Sequence, residues 1–232
     1  MIDDKRVQAY RNLKTETRVE SPEFIAEGPE TLRLLLANAD IAIHSLFLKP
    51  ATFDKLIPDI VLGLARRAQQ PHDDDGAAAR PPAPAFAVYV APHQLMAAVI
   101  GMDTCRGSLA HGTVPSRSPD ALLSPAQPAS DPFRILAIDD SFDDANVGSM
   151  VRTASCLGVH AVLISERCVD AFTRRAIRTS MGHCFWIPVI RCDLPATIRM
   201  LRERHGVEPF AAVIDNDARN LDDIPRGGVQ KR

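Results

Sequence analysis

RILAIDDSFDDANVGSMVRTASCLG, residues 134–158, reads as a buried strand, a polar loop and an amphipathic helix. RILAI is a short apolar run with β-branched residues, bounded by two aspartates. From Asn146 to Leu157 the apolar residues recur at helical spacing, with Val147, Met150, Val151, Ala154 and Leu157 on one face and Gly158 as the stop. Asn146 is the predicted N-cap, and Gly148 permits a close backbone approach in the first turn. A polar loop that leaves the carboxyl end of a strand and enters a helix is where α/β sheets place ligands. Arg152, off the apolar face, can reach an anion from there. Taken alone, the segment is equally a capped βα unit with one solvated arginine.

Outward from it the rhythm continues. Strands are predicted at 161–164, 185–190 and 210–214, with helices at 171–179 and 194–204. Strands alternating with helices imply a parallel sheet. Upstream, a smaller α/β pattern has strands at 24–26, 41–48 and 86–90. Its helices are predicted at 29–38, from Pro58 to Leu64, and at 92–100. Two stretches break the pattern: 69–84, with four prolines and three aspartates, and 113–132, rich in Pro, Ser and Ala. Both lack the apolar content that offsets chain entropy and are expected to be mobile.

Composition bounds the function. The chain has 232 residues, 46% hydrophobic, with 27 basic against 29 acidic side chains and a net charge of -2, so nucleic-acid contact requires a local patch. Arg167, Arg174, Arg175 and Arg178 supply one that could track an RNA backbone or form a solvated helix face. Five scattered cysteines, Cys105, Cys156, Cys168, Cys184 and Cys192, contain no CxxC pair and read as reduced thiols. No metal site is expected. His183 and Cys184 near Cys192 lack a second spaced pair, His44 reads as structural, and Asp139 and Asp140 read as turn residues. No GxGxxG supports a dinucleotide fold. The N-terminus shows no secretory signal, and the most apolar window, 86–102, is too short to span a bilayer. The expected location is cytoplasmic, with an organelle not excluded.

Residues 143–158 resemble motif 1 of the SpoU (TrmH-type) RNA 2′-O-ribose methyltransferases of the SPOUT superfamily, through Asn146, Gly148, Arg152, Ala154 and Gly158. AIRTSMGHCFWIPV, 176–189, is similar to the family's second stretch through Ser180, Gly182 and Pro188, although His183 stands where a small residue is frequent. FIAEGPETLRLLLAN, 24–38, resembles the start of the family's small substrate-binding domain. The resemblance implies an α/β protein. An RNA-substrate-binding domain over 1–112, with an insertion at 69–84, would be joined by a linker at 113–132 to a methyltransferase domain over 133–232. That second domain is the SPOUT parallel sheet of trefoil-knot type. The family's last two motifs, which tie the knot and form most of the S-adenosylmethionine pocket, find no counterpart after DARNLDDIP, so an incomplete pocket is expected. The implied reaction moves a methyl group from S-adenosylmethionine to a ribose 2′-oxygen of tRNA or rRNA, with Arg152 and Asn146 as catalytic residues. Guanidinium is effectively never deprotonated, so Arg152 is expected to hold a phosphate and stabilise alkoxide charge, with Asn146 orienting Arg152 or the ribose. Family members form homodimers; without the knot segment that assembly is doubtful here. An RNA-binding module or an inactive truncated fragment is the alternative, and no membrane partner is expected.

Overall fold

The computed structural model describes residues 4–11, 13, 22–69, 86–102, 106–117, 133–218, 220 and 223. Most of the predicted mobile stretches 69–84 and 113–132 lies outside the described residues, as does Cys105.

The first sheet contains β1 (Glu23–Glu27), β2 (Ile43–Leu48), β3 (Ala87–Val90) and β4 (Ser108–Thr113), in the order β1-β4-β2-β3. β4 runs antiparallel to both neighbours, and β2 pairs with β3 in parallel. The sequence reading missed β4. SLAHGT has little apolar alternation, yet it is an inner strand, paired on both sides. Gly112 is required there, because a Cβ at this position would lie 2.4 Å from the Ala42 carbonyl oxygen and 2.7 Å from the Phe24 ring.

Three helices accompany this sheet: α1 (Pro29–Ala37), α2 (Pro50–Ala68) and α3 (His93–Ile100). Pro58 does not open α2 as predicted. Pro50 does, in the first turn where a missing N–H costs nothing, and Pro58 lies inside the helix. Tertiary packing overrides the lost backbone bond: Leu56, Ile60, Gly63 and Arg67, at helical spacing, are all buried.

The second sheet is parallel, β5 (Ile135–Ile138), β6 (Ala161–Ser165) and β7 (Val189–Cys192), in the order β5-β6-β7. The helices α4 (Asp144–Cys156), α5 (Arg174–Thr179) and α6 (Leu194–His205) connect or follow these strands. β7 begins later than predicted. Phe185 instead closes a short 3-10 turn, His183–Phe185, and its buried ring stacks 4.5 Å from Phe24 and 5.5 Å from Phe172. The predicted fourth strand at 210–214 does not form. Phe210, Val213 and Ile214 are exposed and pair with no strand, so little burial offsets the entropy of ordering the segment.

Both sheets contribute to one apolar core, in which Phe24, Leu32 and Leu35 meet Val147, Ile177 and Phe185. Hydrogen bonds reinforce the junction. Asn38 Nδ2 donates to the Phe185 carbonyl at 2.9 Å, and the Trp186 indole N–H donates to the Leu34 carbonyl at 3.3 Å. Among the described residues, no helix is long and apolar enough to cross a membrane.

Candidate functional site

The carboxyl ends of β5 and β6 carry the loop that leads into α4, and that loop is held from several sides. The Cys168 thiol is buried and bonds to the Ile138 carbonyl at 3.3 Å, while the Ser141 N–H reaches its sulfur at 3.2 Å. Asp140, at φ +52°, donates its N–H to Ser165 Oγ at 3.0 Å. Arg191 on β7 fastens the second loop by donating from Nη1 to the carbonyls of Ser165, Glu166 and Cys168 at 2.8–3.0 Å. Asp139 and Asp140 are thus placed at a strand end and turn.

The helix that follows is capped by Asp143, not by Asn146. Asp143 Oδ1 accepts the N–H groups of Ala145 at 2.7 Å and Asn146 at 3.0 Å. Three residues earlier is where a side chain can reach both free N–H groups of the first turn. These bonds hold the Asp143 carboxyl below the usual carboxylate range, helped by the nearby Arg175 charge. Replacing Asp143 by alanine is expected to lower the thermal midpoint at neutral pH. The carboxylate's contribution is present above its unfolded pKa and is lost as the pH falls through the lower folded value, so the deficit should vanish in acid. Thermal melts across that range test this.

α4 and α5 pack at close range. Thr173 Oγ1, which caps α5, donates to Asp144 at 2.7 Å, tying the two helix starts together. Gly148 lies at the crossing. A Cβ there would stand 2.0 Å from Thr179 Oγ1 and 2.5 Å from the Ala176 carbonyl oxygen.

Asn146 and Arg152 are both exposed on α4. Six residues separate them, which helical geometry converts to about 9 Å along the axis and about 120° around it. The structure therefore does not bring Asn146 to Arg152, and the predicted role of orienting that arginine has no contact to act through. The residue that meets this part of α4 is one the sequence reading left without a role. His183 Nδ1 lies 2.9 Å from Ser155 Oγ, one turn beyond Arg152 on the same side of the helix. Half-burial, followed by the Arg152 charge, holds the His183 imidazole below its ordinary value. The only signal in the sequence was an imidazole where the family frequently has a small residue.

The four candidate RNA-contacting arginines divide. Arg175 and Arg178 are exposed on α5. Arg174 is half-buried, its guanidinium 3.8 Å from the Met102 sulfur at the end of the first unit. Arg167 lies on the turn after β6 and pairs with Asp140 at 2.8 Å, a largely solvated contact of small energetic worth. His44 bonds to Thr113 Oγ1 on the first sheet, remote in sequence from α4. Cys184 is fully buried, its thiol pushed up to about 12 by desolvation, which removes it as a nucleophile. A cavity of about 340 Å³ lies elsewhere, lined by Phe47, Tyr89, Leu95 and Val99, and none of the predicted site residues borders it.

Residues 134–228 match the model of the SpoU rRNA Methylase family. That segment, residues 134–228, is of the SpoU methylase family. An uncharacterized tRNA/rRNA methyltransferase of Mycobacterium tuberculosis is 30% identical over 208 residues, covering 87% of this chain and 62% of the relative. A 23S rRNA (guanosine(2553)-2′-O)-methyltransferase of Bacillus subtilis is 35% identical over 85 residues, 37% of this chain and 34% of the relative. Among solved structures, the SpoU methyltransferase AviRb of Streptomyces viridochromogenes superposes with a TM-score of 0.60 at 18% identity, covering 86% of this chain and 66% of its own. At that identity the likeness shows the fold alone, the α/β fold of that structure. The chain spans 62% of the length of the Mycobacterium relative.

Proposed function

We propose that the protein is a cytoplasmic RNA 2′-O-methyltransferase that acts on tRNA or rRNA and takes its methyl group from S-adenosylmethionine. The observation that carries this reading is the meeting of the two motif segments: α4 with Arg152, and the turn after α5 with His183, joined through Ser155. In this proposal residues 1–112 bind the RNA substrate, 113–132 link, and 133–232 hold the reacting end.

S-adenosylmethionine supplies an electrophilic methyl group when bound. Beyond β7 Phe210, Val213 and Ile214 stand exposed, and no step is routed through S-adenosylmethionine. What this chain's own residues do is hold RNA. Arg152, a permanent cation on an exposed helix face, makes a charge-assisted contact to a phosphate and stabilises negative charge developing on a neighbouring ribose oxygen. Arg175 and Arg178, one turn apart on α5, extend the positive surface along the backbone. The exposed apolar residues at 210–214 also support pairing with a second copy, as in the family homodimer.

Methyl incorporation from labelled S-adenosylmethionine into rRNA and tRNA transcripts, with alkali resistance marking 2′-O-methylation, tests the reaction. Label that remains alkali-labile, or lies on a base, overturns it. The same exposure at 210–214 favours a second reading, an RNA-binding module that performs no transfer. RNA binding without label incorporation would select that reading. Under either, replacing Arg175 and Arg178 together by alanine is expected to weaken RNA binding. It should also flatten the dependence of log affinity on log salt by up to about two units, one for each phosphate no longer neutralised. An unchanged slope in a salt titration would remove α5 from the interface.

A further inference from the structure

Arginine contacts to phosphate hold a nucleic acid in place but do not distinguish RNA from DNA. The distinction requires a group that engages the 2′-hydroxyl, which both donates and accepts hydrogen bonds. His183 has the placement and the chemistry for that task. It stands at the start of the 3-10 turn and reaches α4 through Ser155, at 2.9 Å. Arg152 precedes Ser155 by three residues and therefore faces the same side. Ser155 occupies Nδ1, leaving Nε2 without a hydrogen-bond partner among the described residues. If Ser155 donates to Nδ1, Nε2 carries the proton and donates; if Ser155 accepts, Nε2 is the acceptor. A 2′-hydroxyl complements either form.

We propose that His183 is the residue by which this protein distinguishes ribose from deoxyribose, its Nε2 bonding to the 2′-hydroxyl of the nucleotide whose phosphate Arg152 holds. This rests on the RNA-binding reading above and adds the ribose contact to it. The surroundings keep the ring neutral at physiological pH. Desolvation comes first, and the Arg152 charge on α4 works in the same direction. The contacts around Gly182 and the His183 backbone add no charge. His183 donates its backbone N–H to the Ser180 carbonyl, Gly182 bonds to Ile177, and from α1 the side chains of Thr31 and Leu34 pack against Gly182. Protonation in mild acid would place a second cation beside Arg152. That charge attracts the phosphates of RNA and DNA alike, so affinity for both should rise, while Nε2 keeps its proton and can still donate to the 2′-hydroxyl.

The test compares an RNA hairpin with the DNA hairpin of the same sequence, by fluorescence anisotropy at low salt, at about pH 7.5 and about pH 5.5. The unsubstituted protein is expected to favour RNA at the higher pH. His183→Ala should cut the RNA-to-DNA affinity ratio by about threefold to tenfold, the worth of one net hydrogen bond, with DNA affinity little changed. His183→Gln, which keeps a neutral donor and acceptor, should retain most of the ratio. It also serves as the control if the alanine variant melts early. Arg152→Ala should weaken both hairpins and leave the ratio intact. An unchanged ratio in a folded His183→Ala protein, or equal binding of the two hairpins by the unsubstituted chain, overturns the assignment while leaving RNA binding standing. Absence of binding to both hairpins overturns the RNA-binding reading and this inference with it.

Discussion

Gly148→Ala is expected to destabilise the protein by about 2 kcal/mol, and Gly148→Val by more, measured by urea unfolding. Two effects oppose each other here. Alanine in the interior of a helix is favoured over glycine by about 1 kcal/mol, so at an open position the substitution would stabilise α4. At position 148 the new methyl would overlap the Ala176 carbonyl oxygen at 2.5 Å and come within 3.0 Å of its Cα, in addition to Thr179 Oγ1 at 2.0 Å. A hydroxyl can rotate away, but backbone atoms cannot. The helices must separate, and separation opens the packing around Val147, Val151 and Ile177, all fully buried. The steric cost wins because the obstruction is main chain. A stabilised Gly148→Ala protein would show that α4 and α5 move apart freely, and would remove the glycine's reason for being there.

That glycine was legible as a feature but not as a contact. Sequence periodicity gives the face of a helix: Val147, Val151 and Ala154 are buried and Met150 partly so, whereas Leu157, past the last turn, is exposed; periodicity does not tell which helix approaches. The same limit explains the other differences. AVLI is legible as a strand because a strand buried on both faces is a continuous apolar run, and β6 is buried throughout; RILAI reads the same way, although β5 is only partly covered, with Ala137 exposed. β4 is not legible, since its place between β1 and β2 comes from neighbours far away in sequence. FAAVI, 210–214, reads as a strand from its apolar run, yet a strand also requires a partner edge. Pro58 was read as a helix start because local propensity says so, whereas four buried residues on one stripe of α2 outweigh it. The Asp143 cap was open to the sequence reading: two aspartates precede the apolar pattern, and the choice of Asn146 set the helix start too late. His183 against Ser155 joins residues 28 positions apart, and no spacing rule reaches that far.

Arg67→Met is expected to cost about 3 kcal/mol, because it removes a buried cation that completes the end of a helix. The last carbonyls of any helix have no partner within it. In α1 they are met from outside. Arg67 Nη1 donates to the carbonyls of Leu36 and Gly63, and Nη2 to those of Leu35, Asn38 and Ile41, at 2.9–3.2 Å. Arg66 reaches Ala37, and Trp186 reaches Leu34 from the second sheet. Burial lowers the Arg67 pKa from its ordinary value, and the charge is held by carbonyl dipoles together with the Phe86 ring, 5.6 Å away. Methionine fills much of the same volume, so the substitution isolates the hydrogen bonds and leaves several carbonyls buried without donors. Lysine keeps the charge but offers one point in place of a planar fork, and Arg67→Lys should recover only part of the stability. The effect should also be felt at Trp186, whose indole bonds to the same helix end. Its fluorescence, the signal of the single tryptophan in the chain, should shift to the red in Arg67→Met before global unfolding. A methionine variant as stable as the parent, with an unshifted tryptophan, would mean that water satisfies the end of α1 and that the arginine is dispensable.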